Sequence, residues 1–327
     1  MDAHRLLRPL AVLAVAAVLA AVIALIADRP VNLRTAQPDL LPDFAARIDQ
    51  AARLDITHGL GLSGHRTLGF TRQAEIWTAD DRAGYPAKQE LVNETLLALA
   101  NLEPREARTA RPEWHRALGL YPPEELGRAI RFKVRDSAGE VLAEILLGDE
   151  ARSEAERGLP LKTLGPELRD FYVRLPDDDQ SWLVRGRLPR NGEVAAWLDP
   201  SLPHGTEMPV GVKVRVPDAP PVEMRRDADG VWRFADNTIW EAAADWLAHF
   251  QSLRFQDVAR AEGIDFDAAS TLTLVFADKT ELRYESVGAG THIWSRAIGA
   301  PDRYEGWAFR FDAEAAAVLL PDFASAP

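Results

Sequence analysis

The residues whose spacing is closest to a known chemical site are three glycines, Gly59, Gly61 and Gly64, in the run GLGLSG. This G-x-G-x-x-G spacing is typical of dinucleotide folds, in which a helix begins at the glycines and its N-terminus meets the pyrophosphate. Asp80 and Asp81 follow about 20 residues later, where such folds place an acid for the ribose. The run after Gly64, HRTLGFTRQAEIW, instead indicates a strand. The sequence therefore favours a loose hairpin turn over a nucleotide site.

The remaining polar residues do not form a recognisable site. The histidines within the polar part of the chain are scattered, and no two have the spacing of four that places two imidazoles on one helical face. They are His58, His65, His115, His204, His249 and His292. The run Asp177–Asp179 lacks the alternating ligands and closing glutamate of a calcium loop, which favours a solvated hairpin tip. We therefore predict no catalytic, cofactor-binding or metal-binding residues, and no cofactor.

Nine tryptophans are many for a chain of this size. Four of them alternate with polar neighbours in strand-like segments, which predicts that they pack in a core. Three others lie in or beside loops, where aromatic side chains are enriched at contact sites, so an interaction surface is an alternative for them. The first group is Trp77, Trp182, Trp232 and Trp307, and the second is Trp114, Trp197 and Trp240.

The run LAVLAVAAVLAAVIALIA, residues 10–27, contains no charge, polar side chain, glycine or proline. As a helix it would span about 27 Å, close to the roughly 30 Å hydrocarbon core of a bilayer. It is longer than the apolar part of a signal peptide, about 7–15 residues, and Leu25 occupies a cleavage position that prefers a small residue. These features favour an uncleaved single-pass anchor, with residues 1–9 in the cytoplasm and the large remainder in the periplasm.

Composition limits the classes of partner and chemistry. The formal net charge is −12, and no basic stripe offsets it, which excludes a nucleic-acid partner. The absence of cysteine excludes disulfides, thiolate metal sites and cysteine nucleophiles. The polar part is long enough for about two domains of roughly 100–200 residues each.

Apolar stripes predict two main helices, Lys88–Leu102 and Ile239–Leu253, and Thr238 with Glu241 has the pattern of a capping box at the start of the second. A shorter amphipathic helix is predicted over Asp43–Arg53. Strand-like segments with turn residues between them flank each main helix. They are 53–57, 67–72, 74–79, 129–135, 140–147, 170–175 and 181–185 around the first, and 211–216, 222–226, 231–235, 271–277, 280–286, 292–297 and 307–311 around the second.

Matched landmarks occur in the same order in the two halves of the polar part. The pairs are Trp77 with Trp232, Leu102 with Leu253, Asp136 with Asp278, and Trp182 with Trp307. This order favours a duplicated unit of three strands, one helix and four strands over two unrelated α+β domains. Each unit would be an antiparallel sheet with one face covered by its helix.

The predicted fold class is α+β: an N-terminal single transmembrane helix followed by two tandem duplicated units, each a mostly antiparallel sheet with one main helix. The predicted domains are a cytoplasmic tail (1–9), the anchor (10–27), a juxtamembrane spacer with a short helix (28–50), the first repeat (51–186), a linker (187–208) and the second repeat (209–327).

Several runs resemble a bacterial family of unknown function, among them LPDFAARIDQAARLDIT, EIWTADDRAGYPAKQELVNETLLALANLEPREART, WHRALGL, EVLAEILLGD, FYVR and SWLVRGRL. The most specific piece is Gly84-Tyr85-Pro86, followed by the leucine-rich helix and Glu103-Pro104. Members of that family are membrane-anchored and accompany ABC-type transport systems of the gliding-motility auxiliary kind. The resemblance covers 41–202 and is looser beyond; it implies an accessory role in the envelope and no catalytic residues. The run GLGLSGH replaces the tight turn that is usual in the family.

We therefore expect a non-enzymatic periplasmic accessory protein, anchored in the bacterial inner membrane as an auxiliary component of an ABC-type transport or export system. Its partners would be the membrane and a permease or auxiliary subunit, contacted through sheet edges or exposed loops. An envelope enzyme acting on a glycan or peptide and a periplasmic scaffold for surface assembly are the alternatives. A deep pocket lined by acids of raised pKa would favour the enzyme.

Overall fold

The structure is a computed structural model that describes residues 39–151, 169–200, 202–205, 207–288 and 291–321. Among these residues, no helix is both long enough and apolar enough to cross a membrane. The predicted anchor and cytoplasmic tail lie outside the described residues. The elements below belong to one compact unit, Leu40–Pro327.

The first sheet contains nine antiparallel strands among the residues described. They are β1 (Arg53–Gly59), β2 (His65–Gln73), β3 (Ile76–Ala79), β4 (Tyr85–Pro86), β5 (Glu103–Ala107), β6 (Ile130–Arg135), β7 (Val141–Glu150), β8 (Arg169–Arg174) and β9 (Ser181–Gly186). Their spatial order is β4-β3-β2-β1-β6-β7-β8-β9-β5. Side chains alternate between the two faces, so Leu54, Phe70 and Val134 lie side by side in the core.

The second sheet contains eight antiparallel strands in the described part of the chain. They are β10 (Gly211–Arg215), β11 (Val222–Arg226), β12 (Trp232–Phe234), β13 (Asp257–Arg260), β14 (Ser270–Val275), β15 (Glu281–Val287), β16 (His292–Ile298) and β17 (Trp307–Asp312). Their spatial order is β12-β11-β10-β14-β15-β16-β17-β13. The α+β class with two antiparallel sheets is therefore confirmed.

Five α-helices of four residues or more accompany the sheets in the described ranges. They are α1 (Phe44–Arg47), α2 (Gln89–Ala100), α3 (Pro112–His115), α4 (Ala243–Gln251) and α5 (Ala313–Leu319). The two main helices, α2 and α4, bury one face each, as their apolar stripes predict. The short helix predicted over Asp43–Arg53 is α1 continued by a single 3₁₀ turn, and β1 begins at its last predicted residue.

The two sheets have the same connectivity apart from the short strand β4. In each, three strands are followed by the main helix, then by a strand that pairs with the last strand of the sheet, at its far edge. Local hydrogen bonds agree with this correspondence. The carbonyl of Trp77 accepts from the amide of Ala87, and the carbonyl of Trp232 accepts from the amide of Trp240, both at 2.8 Å.

The end of each main helix also matches. The amide of Leu102 donates to the carbonyl of Leu99 at 3.5 Å, and the amide of Leu253 donates to the carbonyl of Phe250 at 3.3 Å. Two of the predicted landmark pairs, Trp77 with Trp232 and Leu102 with Leu253, therefore occupy equivalent positions.

The other two landmark pairs are each displaced by two residues. Asp136 and Phe276 are equivalent, because their amides donate at 3.0 Å to the carbonyls of Glu140 and Thr280, which close the same turn. Asp278 lies two residues further on. For the last pair, we followed the strand pairing across β7, β8 and β9 in the first sheet and across β15, β16 and β17 in the second. By this route the position equivalent to Trp182 is Phe309, which lies two residues beyond Trp307.

The sequence prediction also missed the strands that close each sheet. No strand is predicted over residues 103–107 or 257–260, but they form β5 and β13. The capping box at Thr238 and Glu241 is wrong, because α4 begins four residues after Ile239, with Ala242 as an N-cap that makes no side-chain bond.

One hydrophobic core runs through both sheets. Tyr85, in the short strand β4 of the first sheet, makes edge-to-face contacts with Phe255, Trp307 and Phe309, at ring-centroid distances of 5.9, 5.1 and 6.1 Å. The guanidinium of Arg82 is 2.5 Å from a carboxylate oxygen of Asp257 in β13. The division into two domains stays a prediction, but the described residues of both sheets pack together.

The predicted linker, residues 187–208, is part of this packing where the structure describes it. Trp197 is completely buried, its ring centroid is 5.2 Å from that of Phe70, and its Nε1 donates to the carbonyl of Asn191 at 2.9 Å. Leu198 forms a β-bridge with Ala87 beside β4. The linker thus seals one edge of the first sheet.

Candidate interaction surface

The glycine run forms the loop between β1 and β2. Leu60 donates its amide to the carbonyl of Gly64 at 2.8 Å, and residues 61–63 make a single 3₁₀ turn. Gly61 and Gly64 have φ angles of 62° and 85°, a region that side chains disfavour. A strand precedes the loop and a strand follows it, so the run lacks the helix N-terminus that a pyrophosphate needs. The predicted hairpin turn is therefore confirmed.

A second loop, residues 122–128, lies against the glycine loop. The amide of Gly61 donates to the carbonyl of Gly127 at 3.1 Å. The approach is close, because a Cβ on Gly59 would lie 2.4 Å from the carbonyl oxygen of Gly127. A Cβ on Gly127 would lie 1.8 Å from the carbonyl oxygen of Tyr121. Glycine at position 59 therefore lets the two loop backbones touch, and glycine at position 127 lets the second loop fold back against Tyr121.

Together the two loops present three leucines to solvent, which we call the leucine surface: Leu60, Leu62 and Leu126. Leu62 is 95% exposed, and the other two are each 48% exposed. Leu126 also has a φ of 61°, an uncommon conformation for a residue with a Cβ. Exposed leucines held at the tip of two glycine-dependent loops contribute little to the core, and clustered exposed apolar side chains mark contact sites.

The leucine surface has a local charge that differs from that of the whole chain. Residues 59–66 contain no acid, although the chain carries a net charge of −12. Arg66 and Arg128 are exposed beside the leucines. Glu193 lies 3.5 Å from Arg66, and the second loop has the exposed Glu124 and Glu125 directly before Leu126. The tip itself is therefore apolar, with charges of both signs around it.

His58 lies directly below the glycine loop, at the end of β1. It is buried, with Gly192 of the linker so close that a Cβ there would be 3.3 Å from the imidazole ring. Its Nε2 has no hydrogen-bond partner among the described residues. Burial, followed by the positive charges of Arg190 and Arg66, lowers the pKa of His58 below its ordinary value of 6.5. The imidazole is therefore neutral, and it supports the loop by packing.

The other histidines are dispersed as predicted. His115 is buried and donates from Nε2 to the carbonyl of Asp179 at 2.9 Å, and His204 donates from Nδ1 to the carbonyl of Leu202 at 2.9 Å. His65, His249 and His292 are exposed on separate elements. Within the described ranges, no group of three histidine or acidic side chains could hold a metal ion.

The acidic residues considered in the sequence lie in an exposed hairpin tip or in ion pairs with arginines. Residues 177–179 form an exposed hairpin tip between β8 and β9, as the sequence indicates. Asp80 lies 3.0 Å from Arg53, and Asp81 lies 3.0 Å from Arg82. Both aspartates therefore pair with arginines of the first sheet, which leaves no sign of a ribose site.

Three of the four tryptophans predicted in the core, Trp77, Trp232 and Trp307, are buried, and Trp182 is half-buried. Of the three placed near loops, only Trp114 is exposed, at 55%. It lies in α3, on the segment that covers the outer face of the first sheet. The interaction surface that the sequence suggested for tryptophans is thus wrong for Trp197, and the leucines were not predicted as a surface.

A cavity of about 390 Å³ lies beside the linker, which we call the linker cavity. Its floor is apolar and its rim is charged. The floor contains the buried side chains Leu202, Phe276, Leu282 and Tyr304. The rim contains the exposed side chains His204, Glu207, Asp278, Glu281 and Arg303.

One of the rim charges is already paired, because Lys213 lies 3.0 Å from Glu281. Arg303 donates to the neutral hydroxyl of Tyr304 at 2.5 Å and keeps its positive charge. Asp278 accepts from the amide and the hydroxyl of Thr280, at 2.9 and 2.7 Å, and these bonds lower its pKa. The rim therefore keeps a negative balance.

The edges of the sheets are protected against strand addition. In β5 the buried Pro104 cannot donate to a ladder, and Arg105 pairs with Glu103 at 2.9 Å. In β13 Asp257 pairs with Arg82, while Arg260 donates to the carbonyl of Ala83 at 3.1 Å. The β4 and β12 edges carry the bridges to residues 198 and 239. The exposed loops are thus a better contact site than the edges.

Compared with known proteins, the chain matches no family model, and no significant match was found among curated proteins or solved structures. The resemblance described above stays a prediction.

Proposed function

We propose that this chain is a non-enzymatic accessory protein of the bacterial envelope that binds a protein partner through the leucine surface. The observation that carries the proposal is the exposure of Leu62, 95%, in a loop whose shape depends on glycines. Burying a leucine side chain is worth about 1.5–3 kcal/mol, so leaving three at a tip is unfavourable unless a partner covers them.

The proposed setting combines this surface with the sequence predictions. The anchor at residues 10–27 would hold the protein in the inner membrane with its sheets in the periplasm, and the resemblance points to an ABC-type transport or export system. A permease or an auxiliary subunit of that system would be the partner. The protected sheet edges support contact through the loops.

The enzyme alternative has less support. The linker cavity contains three carboxylates, but Asp278 has a lowered pKa because Thr280 donates two hydrogen bonds to it. A general acid needs a raised pKa, so this carboxylate is unsuited to that role. A scaffold without a transporter would use the same leucine surface, and the nature of the captured partner separates it from the first proposal.

We also infer that the two sheets arose by duplication of one unit of three strands, one helix and five strands. The shared connectivity and the matched hydrogen bonds at Trp77 and Trp232 support this inference. Duplication does not imply that the second sheet binds a partner in the same way. Its loop that corresponds to the glycine loop, residues 216–221, contains three prolines.

The test is purification of the tagged full chain in mild detergent, followed by mass spectrometry of the proteins that accompany it. We expect a permease or an ATP-binding subunit in the wild-type sample and its loss with Leu62→Asp. Leu97→Asp is the matched control, because Leu97 is also exposed, at 54%, but lies on α2. Equal recovery with both variants would refute contact through the leucine surface, and recovery of no transport component after crosslinking would refute the accessory role.

A further inference from the structure

We propose that Asn191 is a modification site, at which the chain converts its own asparagine to aspartate and isoaspartate by deamidation. Asn191 lies in the linker and is exposed to solvent. It is the one asparagine of the sequence that precedes a glycine, and a glycine leaves its own amide nitrogen unshielded by a side chain. The inference is independent of the proposed function, because it concerns the covalent chemistry of the linker.

The reaction joins two neighbouring residues of the main chain. The amide nitrogen of Gly192 loses its proton to water and attacks the side-chain carbon Cγ of Asn191. The bond from Cγ to Nδ2 then breaks, the departing nitrogen gains a proton and leaves as ammonia, and a succinimide ring remains. Water opens the ring at either carbonyl, which gives aspartate or isoaspartate. One amide and one water thus become one carboxylate and one ammonium ion, with no change of oxidation state.

The structure holds the two reacting groups together. The oxygen Oδ1 of Asn191 accepts from the amide of Glu193 at 2.8 Å, which is an Asx turn. The ring of atoms that this bond closes contains both Cγ of Asn191 and the nitrogen of Gly192. The attack turns Oδ1 into an oxyanion, and the amide of Glu193 already donates to that atom. The amide of Gly192 donates to no acceptor in the described part of the chain, so its proton is free to leave.

A second donor stabilises the anion that forms when Gly192 loses its proton. The charge of a deprotonated amide is shared between its nitrogen and the carbonyl oxygen of the same peptide unit, which here is the oxygen of Asn191. The indole Nε1 of the completely buried Trp197 donates to this oxygen at 2.9 Å. A hydrogen bond to the charged form of a group favours that form. Both oxygens that gain negative charge in the reaction therefore have a donor in place.

The two products differ in their effect on the linker. Aspartate keeps the main chain as it is and adds one negative charge. Isoaspartate lengthens the main chain by one methylene group and removes from it the carbonyl that accepts from Trp197. Gly192 is also packed so closely that a Cβ there would lie 3.3 Å from the imidazole of His58. We therefore expect isoaspartate, and not aspartate, to loosen the linker along the first sheet.

The test measures deamidation of the full chain during incubation in detergent at mildly alkaline pH. Tryptic digestion places Asn191 in the fragment 191–213 and Asn237 in the fragment 234–254. Asn237 is the internal control, because it is exposed but precedes a threonine. By mass spectrometry we expect the change from amide to carboxylate to be at least about tenfold faster at Asn191. Equal rates at the two positions, or no change at Asn191, would overturn the proposal.

Two variants at position 193 test the contribution of the fold. Glu193→Pro removes the amide that donates to Asn191 and should slow deamidation at least about tenfold, whereas Glu193→Ala keeps that amide and should react at the wild-type rate. Because Glu193 is exposed, both variants should keep a thermal midpoint close to that of the wild type. Equal rates for the two variants would refute the role of the Asx turn, as would faster deamidation in the chain unfolded with urea.

The consequence for the linker is tested separately. Asn191→Ser keeps a hydroxyl that can accept from the amide of Glu193, but it cannot deamidate. The thermal midpoint of the incubated wild type should fall as isoaspartate accumulates, measured by labelling with a protein isoaspartate methyltransferase. Incubated Asn191→Ser and fresh Asn191→Asp should both keep the wild-type midpoint. An equal fall in Asn191→Ser, or no fall in the converted wild type, would refute the loosening of the linker. Recovery of a transport component with the chain tests the accessory role and is unaffected by either result.

Discussion

Replacement of Tyr85 tests whether the two sheets are stabilised as one unit. Its ring makes three edge-to-face contacts with the second sheet, and its hydroxyl donates to the carbonyl of Asp199 at 3.2 Å. An aromatic pair contributes about 0.5–1.5 kcal/mol beyond its buried area, and a hydrogen bond about 1 kcal/mol. With the cavity left by the smaller side chain, Tyr85→Leu should lower the free energy of unfolding by roughly 3–5 kcal/mol.

The assay is denaturant unfolding of the full chain in detergent, followed by tryptophan fluorescence and far-ultraviolet circular dichroism. Tyr85→Phe keeps the ring contacts and should cost only about 1 kcal/mol. Tyr172→Leu is the matched control, because Tyr172 is half-buried on the outer face of the first sheet and does not reach the second. A double-mutant cycle with Trp307→Leu should give a coupling of about 0.5–1.5 kcal/mol.

Two results would refute this reasoning. The first is a loss below about 1 kcal/mol for Tyr85→Leu, which would mean that the ring contacts stabilise little. The second is an equal loss of unfolding free energy for Tyr85→Leu and for the Tyr172→Leu control, together with no coupling between Tyr85 and Trp307. If the ring contacts of Tyr85 are the main connection between the two sheets, Tyr85→Leu should also separate the unfolding curve into two transitions, one for each sheet.

Three further predictions concern the glycine loop and the linker. Because the pKa of His58 is lowered in the folded protein, protonation of the unfolded chain lowers the stability as the pH falls below 6.5, and above that pH there is no such loss. His58→Leu should remove this loss from the thermal midpoints measured between neutral and acid pH. Trp197→Ala should cost roughly 3–5 kcal/mol in denaturant unfolding, since the side chain is fully buried in the linker, and a cost near that of an exposed substitution would contradict the packing described. Gly127→Ala places a Cβ 1.8 Å from the carbonyl oxygen of Tyr121 and should displace the second loop, which faster trypsin cleavage at Arg128 would report.

The hairpins could be predicted from the sequence because turn chemistry is local. Asp136, at the start of the turn between β6 and β7, accepts from two amides of that turn, and Gly139 has a φ of 87°. The corresponding turn between β14 and β15 uses Lys279, with a φ of 70°, where the first has glycine. Its aspartate also lies two residues later in the turn, and this is why pairing Asp136 with Asp278 by residue type was wrong.

The closing strands and the leucine surface could not be predicted, because both depend on distant contacts. Glu103-Pro104 indicates the end of a helix, and nothing nearby in sequence shows that β9 will pair with it. Likewise, Leu60 and Leu62 alternate like the residues of a buried strand, and only the position of the loop at the end of the sheet leaves them exposed. Trp197 is the opposite case, a loop residue that the folded linker buries completely.

The pairing of β5 with β9 sets the order in which the first sheet can form as the chain is made. Thr109, two residues beyond β5, donates its amide to the hydroxyl of Ser181, the first residue of β9, at 3.0 Å. These two residues are 72 positions apart, whereas β1 and β2 meet across a single short loop. The hairpins can therefore form early, while β5 waits with an unpaired backbone until β9 has been synthesised. Its proline and its charged side chains keep that waiting strand from pairing with other chains. The second sheet repeats this arrangement with β13 and β17, so folding of the protein should end twice in the same slow closing step.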